Sequence, residues 1–407
     1  MISFEDAQKI VLESVSALES VEMPILDTLG LVAAEDIAST EQIPPFDNSA
    51  MDGYALLADD IKGASAQNPV ELKVLMDLPA GRHTGKPVGQ GEAIRIMTGA
   101  PVPPGADTVV QVELTEKTTD SRVRILREHE KGRNIRRAGE DIAIGQIVIR
   151  KGDDVSPAKI GVLASIGRTT LKVVRRPVVA ILATGDELLD ADEPLGPGKI
   201  RSSNSYTLVS QTRACGAESM YLGIARDTME DVRSHFEKGL SADMIVSSGG
   251  VSVGDYDYVK DVLKELGVDL KFTKVAIKPG KPTVFGLFGN KPVFGLPGNP
   301  VSSMVIFEEF VRPAILKLMG KRRLFRPVIE GILDEDINKK PDRMHLIRAV
   351  TRREGSDYYV STTGPQGSGI LVSMDIANSL ILFPRGTETL KRGERAAVQL
   401  ITMGEVE

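Results

Sequence analysis

The residues that could do chemistry in this chain cluster in loops that follow short apolar segments. One such segment, 244–246 (Met-Ile-Val), leads into 247–257, which is rich in serine, glycine and aspartate. A short β-branched segment is typical of a buried parallel strand, and ligands of open α/β sheets bind beyond the carboxyl ends of such strands. Glycine lets the backbone approach an anion, serine donates hydrogen bonds, and aspartate can hold a metal or orient a water. These residue types suit phosphate chemistry, although an ordinary glycine-rich turn shows the same pattern.

Two other segments repeat this arrangement. Residues 177–184 are typical of a strand and lead into Gly185-Asp186-Glu187, and 293–296 leads through a Pro-Gly-Asn turn to a helical pattern over 301–319. Pro300 stands at the first helical position, where its missing amide hydrogen costs nothing and the remaining free amides could bind an anion. We expect the three strand ends to form one site.

Composition limits the class of protein. A chain of 407 residues is too long for one compact core, and its 42% hydrophobic and 26% charged residues are ordinary for a soluble globular protein. No apolar run reaches the roughly 20 residues that span a bilayer, and the amphipathic, acidic N-terminus differs from a signal peptide. We therefore predict a cytoplasmic protein with no membrane partner. The single cysteine, Cys215, excludes an internal disulfide framework and a cysteine-rich zinc site.

The remaining composition argues against two further classes. Four scattered histidines without a His-Glu-x-x-His motif argue against a zinc hydrolase, so any metal should be hard and oxygen-ligated. The net charge of −6 and the absence of tryptophan argue against a nucleic-acid partner.

The periodicity divides the chain into regions. Residues 3–18 form an amphipathic pattern with Ser3 and Asp6 at capping spacing, and 41–149 is β-rich with strands at 71–76, 92–97 and 108–113. From 177 to about 320 strands alternate with helices, which predicts right-handed βαβ units and a mostly parallel sheet. This region has a helix to residue 240 capped by Thr228 and Asp231, a helix over 258–266 and a lysine-flanked strand over 272–277. After 326 the chain predicts a β-barrel or sandwich with strands at 345–351, 358–362, 379–383 and 396–401.

Six segments along the chain carry a family resemblance. They are Ile43–Ala55 (IPPFDNSAMDGYA), Arg95–Pro101 (RIMTGAP), Gly139–Ile142 (GEDI), Thr184–Glu187 (TGDE), Ser247–Gly254 (SSGGVSVG) and Ile277–Pro282 (IKPGKP). In this order they resemble the molybdopterin molybdenumtransferases, the MoeA family to which the E domain of gephyrin also belongs. The resemblance spans essentially the whole chain.

The resemblance implies a multidomain α/β plus β fold, with a central doubly wound, mostly parallel sheet, β-rich N-terminal domains and a C-terminal β-barrel. Its implied domains are a discontinuous linker or dimerisation domain (1–40 and 141–176), a β-rich domain that contributes to the partner's active site (41–140), an α/β molybdopterin-binding domain (177–325) and a β-barrel domain (326–407).

The resemblance also implies an activity and its partners. The enzyme would take molybdate and adenylylated molybdopterin, hydrolyse the adenylate in a Mg²⁺-dependent step, insert the metal into the dithiolene and release AMP. It would be a homodimer with a shared active site, and molybdopterin adenylyltransferase and apo-molybdoenzymes would be transient partners.

Family positions supply the candidate site residues. The catalytic candidates are Asp52, Thr98, Glu187, Asp227 and Asp257, of which the last three are also metal-ligand candidates. The candidates for binding substrate or oxyanion are Ser248, Gly249, Gly250, Ser252, Lys274, Lys278, Lys281, Pro297, Arg348 and Ser368. By residue type alone, Glu187 and Asp227 could instead cap helices, Asp52 could belong to a turn, and the lysines could form a solvated cluster. The family pattern leaves the role of Asp255 open.

The sequence lacks the motifs of two other classes of nucleotide-binding enzyme. A nicotinamide or flavin enzyme needs Gly-x-Gly-x-x-Gly, and a P-loop enzyme needs Gly-Lys-Ser/Thr where 279–282 has Gly-Lys-Pro. The alternatives that stay open are a non-catalytic gephyrin-like scaffold, a tungstate-preferring insertase and the related adenylyltransferase. The matched carboxylates and lysines favour catalysis over a scaffold, and chain length argues against the adenylyltransferase. No residue separates molybdate from tungstate, because the two dianions are isosteric.

Overall fold

The computed structural model describes residues 1–251 and 258–402. By its contacts the chain divides into two compact units: unit 1 comprises Met1–Glu22, Gly30–Ala34 and Lys172–Glu407, and unit 2 comprises Met23–Leu29 and Glu35–Leu171. Within the described residues, no helix is both long enough and apolar enough to cross a membrane. The domain boundaries given above stay predictions.

Three of the α-helices in the described residues, α1, α2 and α4, begin directly after a residue whose side chain caps the helix. The α-helices of the described residues are α1 (Phe4–Glu13), α2 (Pro157–Ser165), α3 (Ser203–Ala214), α4 (Met229–Gly239), α5 (Val259–Glu265), α6 (Pro300–Ile306), α7 (Arg312–Leu318) and α8 (Val372–Ile376). The Ser3 hydroxyl accepts from the Asp6 amide at 3.0 Å, and the Thr228 hydroxyl accepts from the Asp231 amide at 3.3 Å, as the capping patterns predict. The first helix ends at Glu13, whereas the amphipathic pattern predicted a helix to Leu18.

Unit 2 is rich in β-structure. The strands up to residue 174 are β1 (Ser20–Pro24), β2 (Val32–Ala33), β3 (Ile37–Ala38), β4 (Asn48–Ser49), β5 (Gly53–Leu56), β6 (Val70–Leu78), β7 (Glu92–Ile96), β8 (Thr108–Gln111), β9 (Thr115–Thr119), β10 (Arg122–Ile125), β11 (Ile135–Arg136), β12 (Ile147–Ile149) and β13 (Thr170–Val174). Of these, β2 and parts of β1 and β13 belong to unit 1, and the others belong to unit 2. The main sheet has the order β8-β5-β7-β6-β10-β9. Its core contains Tyr54, Leu72 and Val123. Three single turns of 3₁₀-helix lie at Ile25–Thr28, Ala58–Ile61 and Val112–Leu114.

Unit 1 contains the α/β sheet that the strand–helix alternation predicts. The strands after residue 177 are β14 (Val178–Thr184), β15 (Leu188–Leu189), β16 (Ile200–Arg201), β17 (Glu218–Ala225), β18 (Met244–Ser248), β19 (Asp269–Phe272), β20 (Ile277–Lys278), β21 (Val284–Phe288), β22 (Lys291–Leu296), β23 (Val328–Leu333), β24 (Ile337–Asn338), β25 (Met344–Glu354), β26 (Asp357–Thr362), β27 (Ser379–Phe383), β28 (Thr389–Leu390) and β29 (Arg395–Leu400). The central sheet has the order β17-β14-β18-β22-β21-β19. Strands β17, β14, β18 and β22 are parallel, and β21 is antiparallel to both of its neighbours.

Both faces of the central sheet are covered. Ala180 and Leu182 of β14 belong to the core that α4 and α5 complete with Phe236. Val179 and Ile181 project from the opposite face, because side chains alternate along a strand, and they are fully buried too. A continuous apolar strand is what such two-sided burial requires.

The C-terminal strands form the predicted barrel. Strands β25, β26, β23, β29 and β27 pair in this order, and β27 pairs with β25 to close the ring. The core inside it contains Ile347, Val360, Ile381 and Val398. Closure removes the exposed sheet edges of these five strands.

The prediction of one strand over 272–277 is wrong. The structure has β19 ending at Phe272 and β20 beginning at Ile277, and β20 pairs in parallel with β25 of the barrel, Lys278 standing opposite His345. Between them the backbone turns to the N-terminus, where the Ile2 amide donates to the Lys274 carbonyl at 3.3 Å. Such a contact between distant segments leaves no local pattern in the sequence.

The helical stretch predicted over 301–319 contains a π-helical segment at Phe307–Val311, between α6 and α7. Pro313 has no amide hydrogen to donate to the Glu309 carbonyl four residues earlier, and Gln8 Nε2 donates to that carbonyl at 3.3 Å. The proline therefore explains why the regular helix is interrupted here.

Candidate active site

The ends of β14, β18 and β22 border one cavity of about 660 Å³ in unit 1, here named the carboxylate cavity. Because the three strands are parallel neighbours, their carboxyl ends meet at the same edge of the sheet. The structure thus brings together a first group of predicted site residues, which line this cavity: Glu187, Asp227, Ser248, Gly249, Gly250 and Pro297.

The turn after β18 requires glycine. Gly249 and Gly250 have φ angles of +99° and +64°, which favour glycine over other residues. A Cβ atom on Gly249 would also lie 2.4 Å from the Thr184 carbonyl oxygen. The turn is fixed from the other side as well, since the Gly249 amide donates to the Leu296 carbonyl at 3.0 Å.

The two carboxylates of this cavity stand in different surroundings. The Asp186 amide donates to Asp227 Oδ2 at 3.1 Å, and the Asp227 amide donates to Asp186 Oδ1 at 3.2 Å, so these two loops hold each other. Glu187 is exposed. Neither residue caps a helix in this structure: α4 is capped by Thr228, and the residues after Glu187 form β15.

A metal site made only of protein side chains is absent from the described residues: no group of three or more His, Cys, Asp or Glu side chains there could hold an ion. Mg²⁺ is commonly bound by one or two carboxylates together with substrate phosphates and water. Glu187 and Asp227 fit that requirement, since both line the carboxylate cavity beside the 248–250 turn.

A second cavity of about 410 Å³, here named the basic cavity, adjoins the first. Pro282, Pro297 and Asn299 line both. No acidic side chain is among the described residues that line the basic cavity, whereas six of them carry a basic side chain: Lys278, Lys281, Lys339, Arg343, His345 and Arg348. The predicted residue Ser368 lines it too. This lining favours an anion.

Arg348 is the most informative residue of the basic cavity. It is only 1% exposed, and no carboxylate of the described residues pairs with it. Its Nη2 donates to the carbonyls of Pro365 and Gly367 at 3.3 and 3.1 Å, while its Nε has no partner in the part of the chain that the structure describes. Burial alone lowers the pKa of this guanidinium from its usual value. A buried cation without a counter-charge is costly unless an anion accompanies it.

Two neighbours show the effect of crowded positive charge. The pKa of Lys339 is lowered, first by burial and then by the charge of Lys278. The pKa of His345 is also lowered, chiefly by burial, with Lys278 and Lys339 adding to the effect. An anion in the basic cavity would relieve this repulsion.

The structure does not bring every predicted residue to these cavities. Lys274 is exposed and lines neither of them. Ser252 and Asp257 lie outside the described residues, as does Asp255.

Asp52 and Thr98 form a pair within unit 2. The Thr98 amide and hydroxyl both donate to Asp52 Oδ1, at 2.7 and 2.8 Å. These two hydrogen bonds, the amide first, lower the pKa of Asp52, with a smaller contribution from the charge of Arg95. Asp52 is therefore a preorganised, ionised carboxylate.

Sequence reasoning missed Asn204 and Lys339. Asn204 lies on α3, which begins at Ser203 directly after the short strand β16. Its signal was a polar Ser-Ser-Asn-Ser run at the start of a helix, which resembles ordinary capping. Lys339 lies in a charged stretch that is typical of a solvated surface.

Comparisons with known proteins agree with this architecture. Three family models match the chain: the MoeA N-terminal region (domains I and II) over residues 2–167, a probable molybdopterin-binding domain over 180–317, and the MoeA C-terminal region (domain IV) over 330–401. The molybdopterin molybdenumtransferase of Staphylococcus epidermidis is 37% identical over 394 residues, which cover 96% of this chain and 94% of the relative. The enzyme of the same name from Staphylococcus aureus is 36% identical over 403 residues, covering 98% and 95%.

This chain belongs to the molybdopterin molybdenumtransferase (MoeA) family. The crystal structure of a molybdopterin biosynthesis MoeA protein from Pyrococcus horikoshii has 32% sequence identity and a TM-score of 0.82, with 99% of each chain covered. The predicted resemblance to the MoeA family is confirmed. The predicted fold class is confirmed too. The central sheet of this MoeA-family chain is mixed, because β21 runs antiparallel to its neighbours.

Proposed function

We propose that this chain inserts molybdenum into molybdopterin in the biosynthesis of the molybdenum cofactor. Its substrates are molybdate and adenylylated molybdopterin, and its products include AMP. One observation carries the proposal: a cavity with two carboxylates and a glycine turn adjoins a cavity whose buried guanidinium has no counter-charge among the described residues. Two adjoining sites of opposite charge suit a reaction that brings an oxyanion to a substrate bearing phosphates.

The carboxylate cavity is assigned to the adenylylated molybdopterin. The Ser248 hydroxyl bonds within the protein and orders the end of β18, and the glycines of the Gly249–Gly250 turn leave room for a phosphate to approach the backbone. The volume of about 660 Å³ is within the range of cavities that hold a ligand of moderate size.

The basic cavity is assigned to molybdate. Lys278 and Lys281 supply compact charges, Arg348 supplies a planar donor, and Ser368 adds a hydroxyl. Because the two cavities share Pro297 and Asn299, an oxyanion here would lie next to the substrate in the carboxylate cavity.

The hydrolytic step is assigned to the carboxylates. No hydrogen bond within the described residues occupies the Glu187 side chain, so it can orient a water against the phosphoanhydride and accept its proton as the bond to AMP breaks. Glu187 and Asp227 would hold Mg²⁺, with Asp257 as a further candidate, and the ion would neutralise phosphate charge.

The active site is proposed to be shared between two subunits of a homodimer. This rests on the family resemblance of Asp52 and Thr98, which lie in unit 2, whereas both cavities lie in unit 1. A molybdopterin adenylyltransferase would supply the substrate, and apo-molybdoenzymes would accept the product.

A turnover assay tests the proposal. Purified protein is given adenylylated molybdopterin and Mg²⁺, with molybdate, tungstate or neither oxyanion, and released AMP and metal-loaded pterin are measured. We expect AMP release and metal insertion that need Mg²⁺ and the oxyanion. Absence of both products from folded protein would contradict the proposal and favour a scaffold, and faster turnover with tungstate would favour a tungstate insertase. Formation of adenylylated molybdopterin from ATP and molybdopterin would instead identify an adenylyltransferase.

A further inference from the structure

Asn204 connects the two turns that border the carboxylate cavity. It is the second residue of α3 and is 8% exposed. Its Nδ2 donates to Ser248 Oγ at 2.7 Å and to the Gly298 carbonyl at 2.8 Å. One side chain therefore bonds to the last residue of β18, directly before its turn, and to the turn after β22.

The orientation of this amide follows from its partners. The Gly298 carbonyl oxygen can only accept a hydrogen bond, so the nitrogen of Asn204 must face it. With one N–H directed to Gly298, the other N–H reaches Ser248 Oγ. The Ser248 hydroxyl is then free to donate onward to the Pro297 carbonyl, which lies 3.3 Å away.

The two turns also lie close together. A Cβ atom on Gly298 would be 3.8 Å from the Gly249 Cα. The parallel pairing of β18 with β22 places the two strand ends side by side, and beyond that ladder the turns are joined by hydrogen bonds from Asn204, Ser248 and the Gly249 amide.

We infer that Asn204 is a positioning residue, which fixes the spacing of the two turns so that both can contact one bound pterin substrate at the same time. The inference rests on the proposed function. Its Oδ1 is buried and has no partner in the described part of the chain, so the interactions that this side chain makes there are those of its donor groups. Loss of these donors should weaken binding of a ligand that touches both turns.

The test compares ligand binding by folded variants. Metal-free molybdopterin probes the carboxylate cavity, which Asn204 lines, and molybdate probes the basic cavity, which Asn204 does not line. We expect Asn204→Ala to weaken molybdopterin binding about tenfold or more, because small misplacements of binding groups are costly, and to leave molybdate binding within about twofold. Both dissociation constants are measured by calorimetry, beside the melting temperature.

A matched control separates positioning from general damage to α3. Thr207 lies one turn further along the helix, its hydroxyl donates to the Asn204 carbonyl at 3.1 Å, and it does not line the carboxylate cavity. Thr207→Ala should lower the melting temperature without weakening molybdopterin binding. Equal weakening by both variants would overturn the inference.

Asn204→Asp provides a second readout. A protonated aspartic acid keeps one donor, whereas the ionised carboxylate opposes the Gly298 carbonyl. Molybdopterin binding by this variant should therefore improve, relative to the parent protein, as the pH falls and the new buried carboxyl becomes protonated.

Two further results would decide against the inference. If the parent binds molybdopterin and Asn204→Ala binds it equally well, the inference alone is wrong. If the parent does not bind molybdopterin, the proposed function is wrong and the inference falls with it.

Discussion

The carboxylate cavity and the basic cavity are built in different ways. The first is bordered by the ends of neighbouring parallel strands, so short segments such as 184–187 and 248–250 carry its residues in local patterns. The second gathers Lys278, Arg348 and Ser368 from separate parts of the chain. A site at strand ends leaves its signal in local patterns, whereas in the basic cavity only the segment 277–282 forms such a pattern and residues such as Lys339 and Arg348 stand in the sequence as isolated charges.

The cavities also differ in whether their charged side chains are stabilised without a bound ligand. In the carboxylate cavity Glu187 is exposed to water and the half-buried Asp227 accepts from the Asp186 amide, so these charges are stabilised without a ligand. The basic cavity holds a buried guanidinium without a carboxylate partner in the described residues, so its charges favour occupation by an anion. We therefore expect the first cavity to govern the rate of chemistry and the second to govern oxyanion affinity.

The largest expected effect comes from Glu187→Gln. The variant keeps the shape of the side chain but loses the charge that holds the ion and accepts a proton, so adenylate cleavage should slow by about 10² or more. Single-turnover AMP release measures this step, and molybdate affinity should be unchanged.

Glu193→Gln is the matched control, since Glu193 follows in the same loop region and does not line the carboxylate cavity. It should cleave at the parent rate. Normal cleavage by folded Glu187→Gln would remove this residue from the mechanism.

Substitution of Lys278 should change molybdate affinity, whereas substitution of Glu187 should change the rate of cleavage. Lys278→Ala and Lys278→Gln should weaken molybdate binding about tenfold or more, while Lys278→Arg keeps the charge and retains part of the affinity. Binding is best measured at low and moderate salt, because screening acts over roughly 10 Å at 0.1 M ionic strength. Lys274→Ala is the control, since Lys274 lines neither cavity.

A different outcome would reverse this comparison. If Lys278→Ala bound molybdate as tightly as the parent and only the chemical step slowed, the basic cavity would contribute to chemistry and not to affinity. Weakened molybdate binding by Lys274→Ala would show that the site extends beyond the cavity.

The same contrast explains what the sequence could predict. Glycines with positive φ, capping residues such as Thr228 and continuous apolar strands act locally, so strands β14, β18 and β22 and helix α4 were predictable. The strand over 272–277 failed because the backbone there bonds to Ile2, far away in the chain. Asn204 was missed because its two partners come together only in the folded sheet.

Mixing of variant subunits tests whether unit 2 of one subunit serves the cavities in unit 1 of its partner. At molybdate concentrations too low to load the weakened Lys278→Ala site, the Asp52→Ala and Lys278→Ala proteins should each show little turnover. One intact site still forms in each mixed dimer if Asp52 serves the partner's cavities. Random exchange of equal amounts should then restore about one quarter of the parent activity, since half of the dimers are mixed and each has one intact site of two. Exchange is verified with differently tagged subunits. Recovery of no activity after verified exchange would contradict the shared site.

Glu309 is a buried acidic residue of unit 1 that lines neither cavity. Its carboxyl is 2% exposed on the π-helical segment, and Oε1 has no partner among the described residues. Gln8 Nε2 donates to Oε2 at 3.3 Å, Gln399 also bonds to the side chain, and Glu308 and Arg312 are the nearby charges. Burial first, and then Glu308, raise the pKa of Glu309 to about 8.

Glu309→Gln should therefore remove a pH dependence of stability. The folded parent binds more protons than the unfolded chain between the usual glutamate pKa of 4.5 and the folded value of about 8, so its stability falls as pH rises through this window. The slope from one such group is at most about 1.4 kcal/mol per pH unit. The variant should lack this slope and melt at a higher temperature than the parent at pH 8, with nearly equal melting below pH 4.5, where Glu309 is protonated in both states. Turnover at pH 7 should change little, because Glu309 lines neither cavity. Parallel melting curves for the two proteins from pH 5 to pH 8 would show that the buried carboxyl is paired or solvated in solution.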